Sequence, residues 1–381
     1  NWTVVGSAGF SAGIAEHTSL AIGPGSQPYV AYTDSANSNK ATVKKFDGSN
    51  WVSLGPAGFS PSGAKDITLV FSPLMEPCVA FRDYANAQKA SVMRFDGVNW
   101  VNYGNPGFSS GLACYLSFSF STLGQPYVAF QDYGNLQRAT VMRFDGTEWV
   151  NVGQAGFTLG KAICNSFAFS NSGEPYLAFS DEVNSFKLTV MKYDGSNWVN
   201  VGLPGASSGL IEYTSLAFSP DGQPYVVFED YGEDGEAAMM KYTGNTWEYV
   251  GPDGFSSAEA DFTSLAFGPD GAPYVCFEDY GNGGKATVMK YDTVYAGLKQ
   301  NDPTDLFLFP NPVENQLTIQ SKEISPGMRV IEILELTGKV LYKTQFTESQ
   351  MVLNTRDYQA GIYILKVKGS NGTIFRKFCK K

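Results

Sequence analysis

The side chains best able to do chemistry in this 381-residue chain are acids gathered in one stretch: Glu212, Glu229, Asp230, Glu233, Asp234, Glu236, Asp261, Glu278 and Asp279. Carboxylates in such numbers have three chemical uses. Two of them flanking a sugar could serve as acid and base in glycoside hydrolysis. Several around one point would hold a hard cation, and the specific form of that expectation is Ca2+ on Glu229, Asp230, Glu278 and Asp279. Left alone, they form a solvated acidic surface that keeps a protein soluble. Other chemistry is poorly provided for. His17 is the only histidine, so a centre built on several histidines is excluded. Gly-x-Ser-x-Gly occurs at 9–13, 107–111 and 205–209, but as part of the repeat's loops and not as a strand-to-helix elbow, so it does not support a Ser-His-Asp triad through His17. The five cysteines (Cys78, Cys114, Cys164, Cys276 and Cys379) lack metal-ligand spacing. Cys78 and Cys276 read as small core residues, while a Cys114–Cys164 disulfide stays open. Apart from that Ca2+, no cofactor is expected.

The elements that must position these acids are set by a repeat. All six tryptophans (Trp2, Trp51, Trp100, Trp149, Trp198 and Trp247) stand 49 residues apart. A glycine recurs four residues after each, from Gly6 to Gly251. A proline recurs from Pro28 to Pro273, and an aspartate from Asp34 to Asp279. Self-similarity at this period marks a repeat architecture. The third repeat carries four strand-like runs, at 116–121, 126–131, 139–144 and 149–152, separated by turn residues. The second run is apolar on both faces, as in a sheet covered on both sides. The sequence therefore predicts an all-β fold, a six-bladed β-propeller over residues 1–295. After Tyr291-Asp292 the pattern stops, and Ala296 stands where another tryptophan would fall. A strand at residues 2–6 is expected to complete the sixth blade and close the ring, removing an open edge. The tryptophans then read as residues packed between blades.

Within a repeat the turns joining strands one to two and three to four are short, so the longer loops, 6–16 and 34–39 with their equivalents, share the opposite face. Loops on a rigid scaffold are where binding residues gather. Scaffold positions hardly vary between repeats, whereas these do. Ahead of the innermost strand stand Glu16-His17, Lys65-Asp66, Cys114-Tyr115, Ile163-Cys164, Glu212-Tyr213 and Asp261-Phe262. Ahead of the repeated aspartate stand Thr33, Arg82, Gln131, Ser180, Glu229 and Glu278. An asymmetric ring of this kind suits one central site. The candidate ligand-binding residues are Glu16, His17, Asp66, Arg82, Tyr115, Gln131, Tyr213, Glu229, Phe262 and Glu278. The repeated aspartates themselves are expected to cap loop amides.

The formal net charge of −10 argues against nucleic acid or an anionic membrane as partner. No apolar run approaches the length of a membrane span, and any export signal is expected to have been removed already. Charge is unevenly divided. Residues 303–381 hold eleven Lys/Arg against seven Asp/Glu, a surplus of four, which leaves −14 for residues 1–302. A polar linker at 296–304 precedes a second domain at 305–381, whose alternating runs predict about seven strands, a small Ig-like β-sandwich.

That C-terminal stretch opens on Phe309-Pro310-Asn311-Pro312, continues through a Gly338-Lys339 turn and a Gly361-Ile362-Tyr363 strand holding Lys366, and ends on a basic tail. It resembles the C-terminal sorting domain of the type IX secretion system of Bacteroidota. The resemblance implies export through the periplasm and across the outer membrane, with the translocon and its shuttle proteins as partners. The Asp-Gly turns at Asp47, Asp96, Asp145 and Asp194 resemble the Asp-box of sialidases in place. Their aspartate-to-tryptophan spacing differs, and residues 1–302 hold only four arginines, too few to converge on a sialic carboxylate. The expected protein is a monomeric, secreted or surface-displayed binding protein. Its propeller would take a glycan or a protein, with a carbohydrate-active enzyme or a purely structural surface component as alternatives.

Overall fold

Each repeat folds into one antiparallel sheet because its apolar runs are strand-length and its turns are rich in Asp and Gly. In the computed structural model, residues 4–268, 271–291, 306–321, 329–335, 339–346, 350–369 and 372–381 are described. The first blade pairs Ala15–Ile22, Pro28–Asp34, Lys40–Phe46 and Trp51–Ser53 in that order. Four more sheets repeat this order, and a sixth holds Ala260–Phe267, Pro273–Asp279 and Lys285–Lys290. The fold is all-β, six propeller blades followed by a small β domain. The chain divides into two compact units, Asn1–Tyr291 and Asp292–Lys381. The linker expected at 296–304 lies outside the described residues.

Successive blades are joined through their first strands. The amides of Leu69, Phe167, Leu216 and Leu265 donate to the hydroxyls of Ser19, Ser117, Ser166 and Ser215 one blade back, at 2.9–3.1 Å. Each tryptophan of the fourth strand reaches back in the same way. Trp100, Trp149, Trp198 and Trp247 donate Nε1–H to the carbonyls of Leu54, Tyr103, Val152 and Val201. Phe59, Phe108 and Phe157, from the loop leading into the same blade, stack on the first three of these rings at 4.2–4.5 Å. The tryptophans thus knit repeat to repeat, as expected.

The aspartate ending each second strand is the internal brace of its loop. In blades one to four its Oδ1 accepts the amide two residues on, and its Oδ2 accepts an Asn side chain and a hydroxyl on strand three. The Asp-Gly turns work similarly on the opposite face. Asp47 accepts the amides of Ser49 and Asn50, and these bonds hold its carboxyl below the usual range.

Two expectations meet a different structure at the seam between blades six and one. Of the strand expected at residues 2–6, Trp2 and Thr3 lie outside the described residues. Val4–Gly6 form no strand, and the Val5 carbonyl instead accepts Trp51 Nε1–H at 2.8 Å. Leu20 on blade one is 65% exposed, against 2–8% for its counterparts Leu69, Phe118, Phe167, Leu216 and Leu265. On blade six Cys276 is exposed, while its counterparts Ala31, Ala80, Ala129, Ala178 and Val227 are fully buried. Cys78 is a core residue as expected; Cys276 is not, because its side of the sheet faces this seam. All five cysteines are free, so Cys114 and Cys164 do not pair.

Among the described residues the C-terminal unit has seven strands in two sheets. Leu306–Phe309, Gln316–Ser321 and Gln350–Asn354 form one, and Val340–Phe346, Arg329–Glu335, Gly361–Gly369 and Gly372–Lys380 form the other. Leu317, Ile319 and Leu353 of the first meet Ile331, Ile333, Leu365, Val367 and Phe378 of the second in one core. Asn311 pins the last strand, accepting the Cys379 amide through Oδ1 at 2.9 Å and donating to the Lys377 carbonyl. Tyr363 is buried on Phe378 and donates to the Gln359 carbonyl. Lys366 and Lys343 both clamp Glu332, at 2.8 and 2.7 Å, driving its carboxyl down to about 2. Phe309, Pro310, Pro312, Lys339 and Ile362 are exposed, Gly361 begins its strand, and Gly338 lies outside the described residues.

Candidate functional site

The long-loop face is built by one recurrent distortion of the innermost strand. In every blade the ladder between strands one and two slips at the same place, after Glu16, Lys65, Cys114, Ile163, Glu212 and Asp261. The next residue takes a left-handed conformation: His17, Asp66, Tyr115, Cys164, Tyr213 and Phe262 have φ between 48° and 54°. None is glycine, and backbone of this kind costs bulky residues energy. Bulges of this type re-aim a side chain. The six re-aimed side chains are the ones that differ from blade to blade.

The structure brings the expected site residues together in two sectors. On blades one to three, Asp66 sits between His17 at 3.8 Å and Arg82 at 3.3 Å, and Arg82 reaches on to Cys114 Sγ at 3.1 Å. Burial lowers the His17 pKa, with Asp66 opposing it. On blades five and six, Tyr213 and Phe262 meet at 4.5 Å between ring centres. Below them the strand register pairs Glu212 with Glu229 and Asp261 with Glu278. Between the sectors Tyr115 is half exposed, and burial followed by the nearby Cys164 and Cys114 thiols pushes its hydroxyl up to about 12. Glu16 is exposed at the edge.

Two expected residues lie beneath the surface, out of reach of a large ligand. Gln131 is 2% exposed and Glu229 is fully buried. The position before the repeated aspartate points into the gap between blades, where the next blade's first strand covers it. Glu229 is therefore not part of a solvated acidic surface. Neither of its oxygens has a hydrogen-bond partner, the nearby Tyr231 hydroxyl lying out of bonding geometry. Burial, then the charges of Asp261 and Glu212, push its pKa up to about 8.

Of the four acids expected to hold Ca2+, only Glu229 belongs to a convergent group. Its carboxylate and those of Glu259 and Asp261 each offer one oxygen within 4.8 Å of the other two. Asp230 is spent on the amides of Gly209 and Gly232 and the hydroxyls of Ser208 and Tyr249. Asp279 accepts Asn282 and Thr287. Glu278 is half-buried beside Asp261. Glu259 is the site residue that sequence reasoning missed. Its signal was the i, i+2 spacing to Asp261, which puts both carboxylates on one side of the chain.

Comparison with known proteins bears on both units. Residues 307–381 match the family model of the secretion system C-terminal sorting domain. This tail is a sorting domain. It marks the chain as a protein exported by the type IX system, and its motif residues Asn311, Tyr363 and Lys366 are the ones that pin its strands. Among the described residues no helix is long and apolar enough to cross a membrane. No curated protein sequence matches the chain. Among solved structures it is similar to the fucose-specific lectin of Aleuria aurantia, with a TM-score of 0.50 at 14% identity, covering 74% of this chain and 93% of the lectin. It also matches PorZ, a surface component of the type IX secretion system of Porphyromonas gingivalis, with a TM-score of 0.48 at 13% identity. That match covers 96% of this chain, which spans 51% of PorZ. At such identity the likeness is one of fold alone, a propeller fold shared by the six-sheet unit of this chain.

Proposed function

We propose that the protein, once carried out by its sorting domain, is released or displayed at the surface of a Bacteroidota cell and binds a glycan through the long-loop face. The observation that carries this reading is the ring of six bulge residues, each re-aimed at the same point of its blade and together of five residue types. The exposed rings of Tyr115 and Phe262, 42% and 63% accessible, offer flat apolar faces of the kind on which a sugar's C–H face packs. His17, Asp66, Glu212 and Asp261 beside them supply donors and acceptors that fix orientation. A protein ligand would use the same aromatic anchors. A hydrolytic role is less well supported. The carboxyl whose pKa is raised furthest, Glu229, is fully buried, whereas a general acid must touch the glycosidic oxygen.

A glycan-array screen of the full chain tests the reading, followed by titration of the best glycan against Tyr115→Ala and Phe262→Ala. Losing one stacked ring should weaken binding about tenfold or more, in line with roughly 1–2 kcal/mol for an aromatic contact. Binding that survives both substitutions would place the ligand elsewhere, and turnover of a bound glycan would favour the enzyme.

A further inference from the structure

We propose that Glu229, Glu259 and Asp261, at the junction of blades five and six, form a Ca2+ site. The inference does not depend on which ligand the mouth of the propeller takes. Three features of the junction lead to it.

The first is the isolation of Glu229. Its side chain is fully buried, and both carboxylate oxygens lack a hydrogen-bond partner. A buried carboxylate must be protonated or paired with positive charge, since an isolated ionised one is too costly to keep. Its neighbours in the group are two more acids, which cannot neutralise it.

The second is a comparison the protein makes with itself. The junction of blades two and three carries Arg82, Leu112 and Cys114 at the positions of Glu229, Glu259 and Asp261. There the Arg82 guanidinium fills the gap, 3.3 Å from Asp66 and 3.1 Å from Cys114. The same slot thus holds a covalent cation in one junction and only carboxylates in the other. A mobile cation would complete the second as arginine completes the first.

The third is size. All donors are carboxylate oxygens, which suits hard cations rather than zinc or copper. One oxygen from each of the three carboxylates lies within 4.8 Å of the others, close enough for small side-chain shifts to bring all three onto one cation. The larger Ca2+ takes about six to eight oxygens in flexible geometry, whereas the smaller Mg2+ demands a near-ideal octahedron and dehydrates reluctantly. Glu259 is exposed and Asp261 half-buried, so an ion can enter from the surface, and water can supply its remaining ligands. The glycine at 235 keeps one side open, since a Cβ there would stand 3.0 Å from Glu229 Oε1.

The test uses the full chain, stripped of metal and held at pH 7.5. Calorimetric titration and thermal melting are run with CaCl2, MgCl2 or chelator, and Tb3+ luminescence is excited through nearby rings such as Tyr280, whose hydroxyl lies 3.5 Å from Asp261. Saturating Ca2+ should raise the midpoint by about 5 °C, with MgCl2 giving less. Glu229→Gln and Asp261→Asn should each lose the shift and at least 100-fold in affinity. Glu248→Gln, an exposed acid on the fourth strand of blade five, should keep both. Glu229→Gln preserves volume and removes only charge, so its midpoint in chelator should equal or exceed the parent's, which separates a lost ion from a lost fold. The proposal is overturned if the parent shows neither heat nor shift with CaCl2. It is equally overturned if both variants keep the parent's response, which would mean diffuse counter-ions, or if Mg2+ matches Ca2+.

Discussion

Replacing Trp198 by alanine would remove an inter-repeat lock whose ring and hydrogen bond are both buried. Its ring lies 4.5 Å from Phe157 at 7° between planes and 5.7 Å from Tyr193, and its Nε1–H bond to the Val152 carbonyl, 2.7 Å, is buried. Truncating an enclosed tryptophan costs about 3–5 kcal/mol. The carbonyl left behind without a donor adds about 1 kcal/mol or more. Trp51 makes the same contacts in blade one, stacking on Phe10 at 4.4 Å and donating to Val5 at 2.8 Å, but its bond is exposed. Water can replace that bond, so Trp51→Ala should lose little more than a partly covered stack, about 1–2 kcal/mol. At roughly 2–4 °C per kcal/mol for a unit somewhat smaller than this one, the midpoint should fall by about 10 °C for Trp198→Ala and by under about 5 °C for Trp51→Ala. Scanning calorimetry of the full chain reads both, and Trp198→Phe, which keeps the stack and loses the bond, should fall between them. Equal losses at the two positions would refute the reasoning, because they would mean that burial does not set the strength of the lock.

Three further outcomes are expected. In chelator, Glu229 should make the protein less stable as pH rises: its folded pKa is raised to about 8, so between its ordinary value and about 8 the native state holds a proton that the unfolded chain has released. Asp261 and Glu212, which face it and whose pKa values are also raised, act in the same direction, and Glu229→Gln should flatten the fall in melting temperature between pH 5.5 and 8.5. Cys276 should react with a thiol reagent in the native protein while Cys78, whose thiol burial pushes up to about 12, waits for unfolding; equal protection would mean that the seam is covered in solution. A chain ending before residue 307 should collect in the periplasm of its host, and its appearance in the medium at normal levels would remove the sorting domain's role.

The scaffold was legible because each of its devices recurs at a fixed offset. A tryptophan that bonds to the repeat before it, a serine on the innermost strand and an aspartate bracing a loop all leave a 49-residue mark that one chain displays against itself. The bulge positions were legible for the opposite reason, as the places where otherwise uniform repeats disagree. What sequence could not supply was the neighbour. Leu20 and Leu69 occupy one position of one motif, yet one is 65% exposed and the other 2%, because their burial is decided by the blade alongside. Glu229 is the same case with chemical consequences. Read along its own strand it is one acid among several, followed by an aspartate that its loop consumes. Its environment comes from Glu259 and Asp261, some thirty residues on and one blade over. Their i, i+2 spacing marks a shared side of a strand without saying what that side faces. A repeat therefore reveals the residues of a junction before it reveals the junction. Pairing each variable position with its partner in the following blade is the step that turns a list of scattered acids into a site.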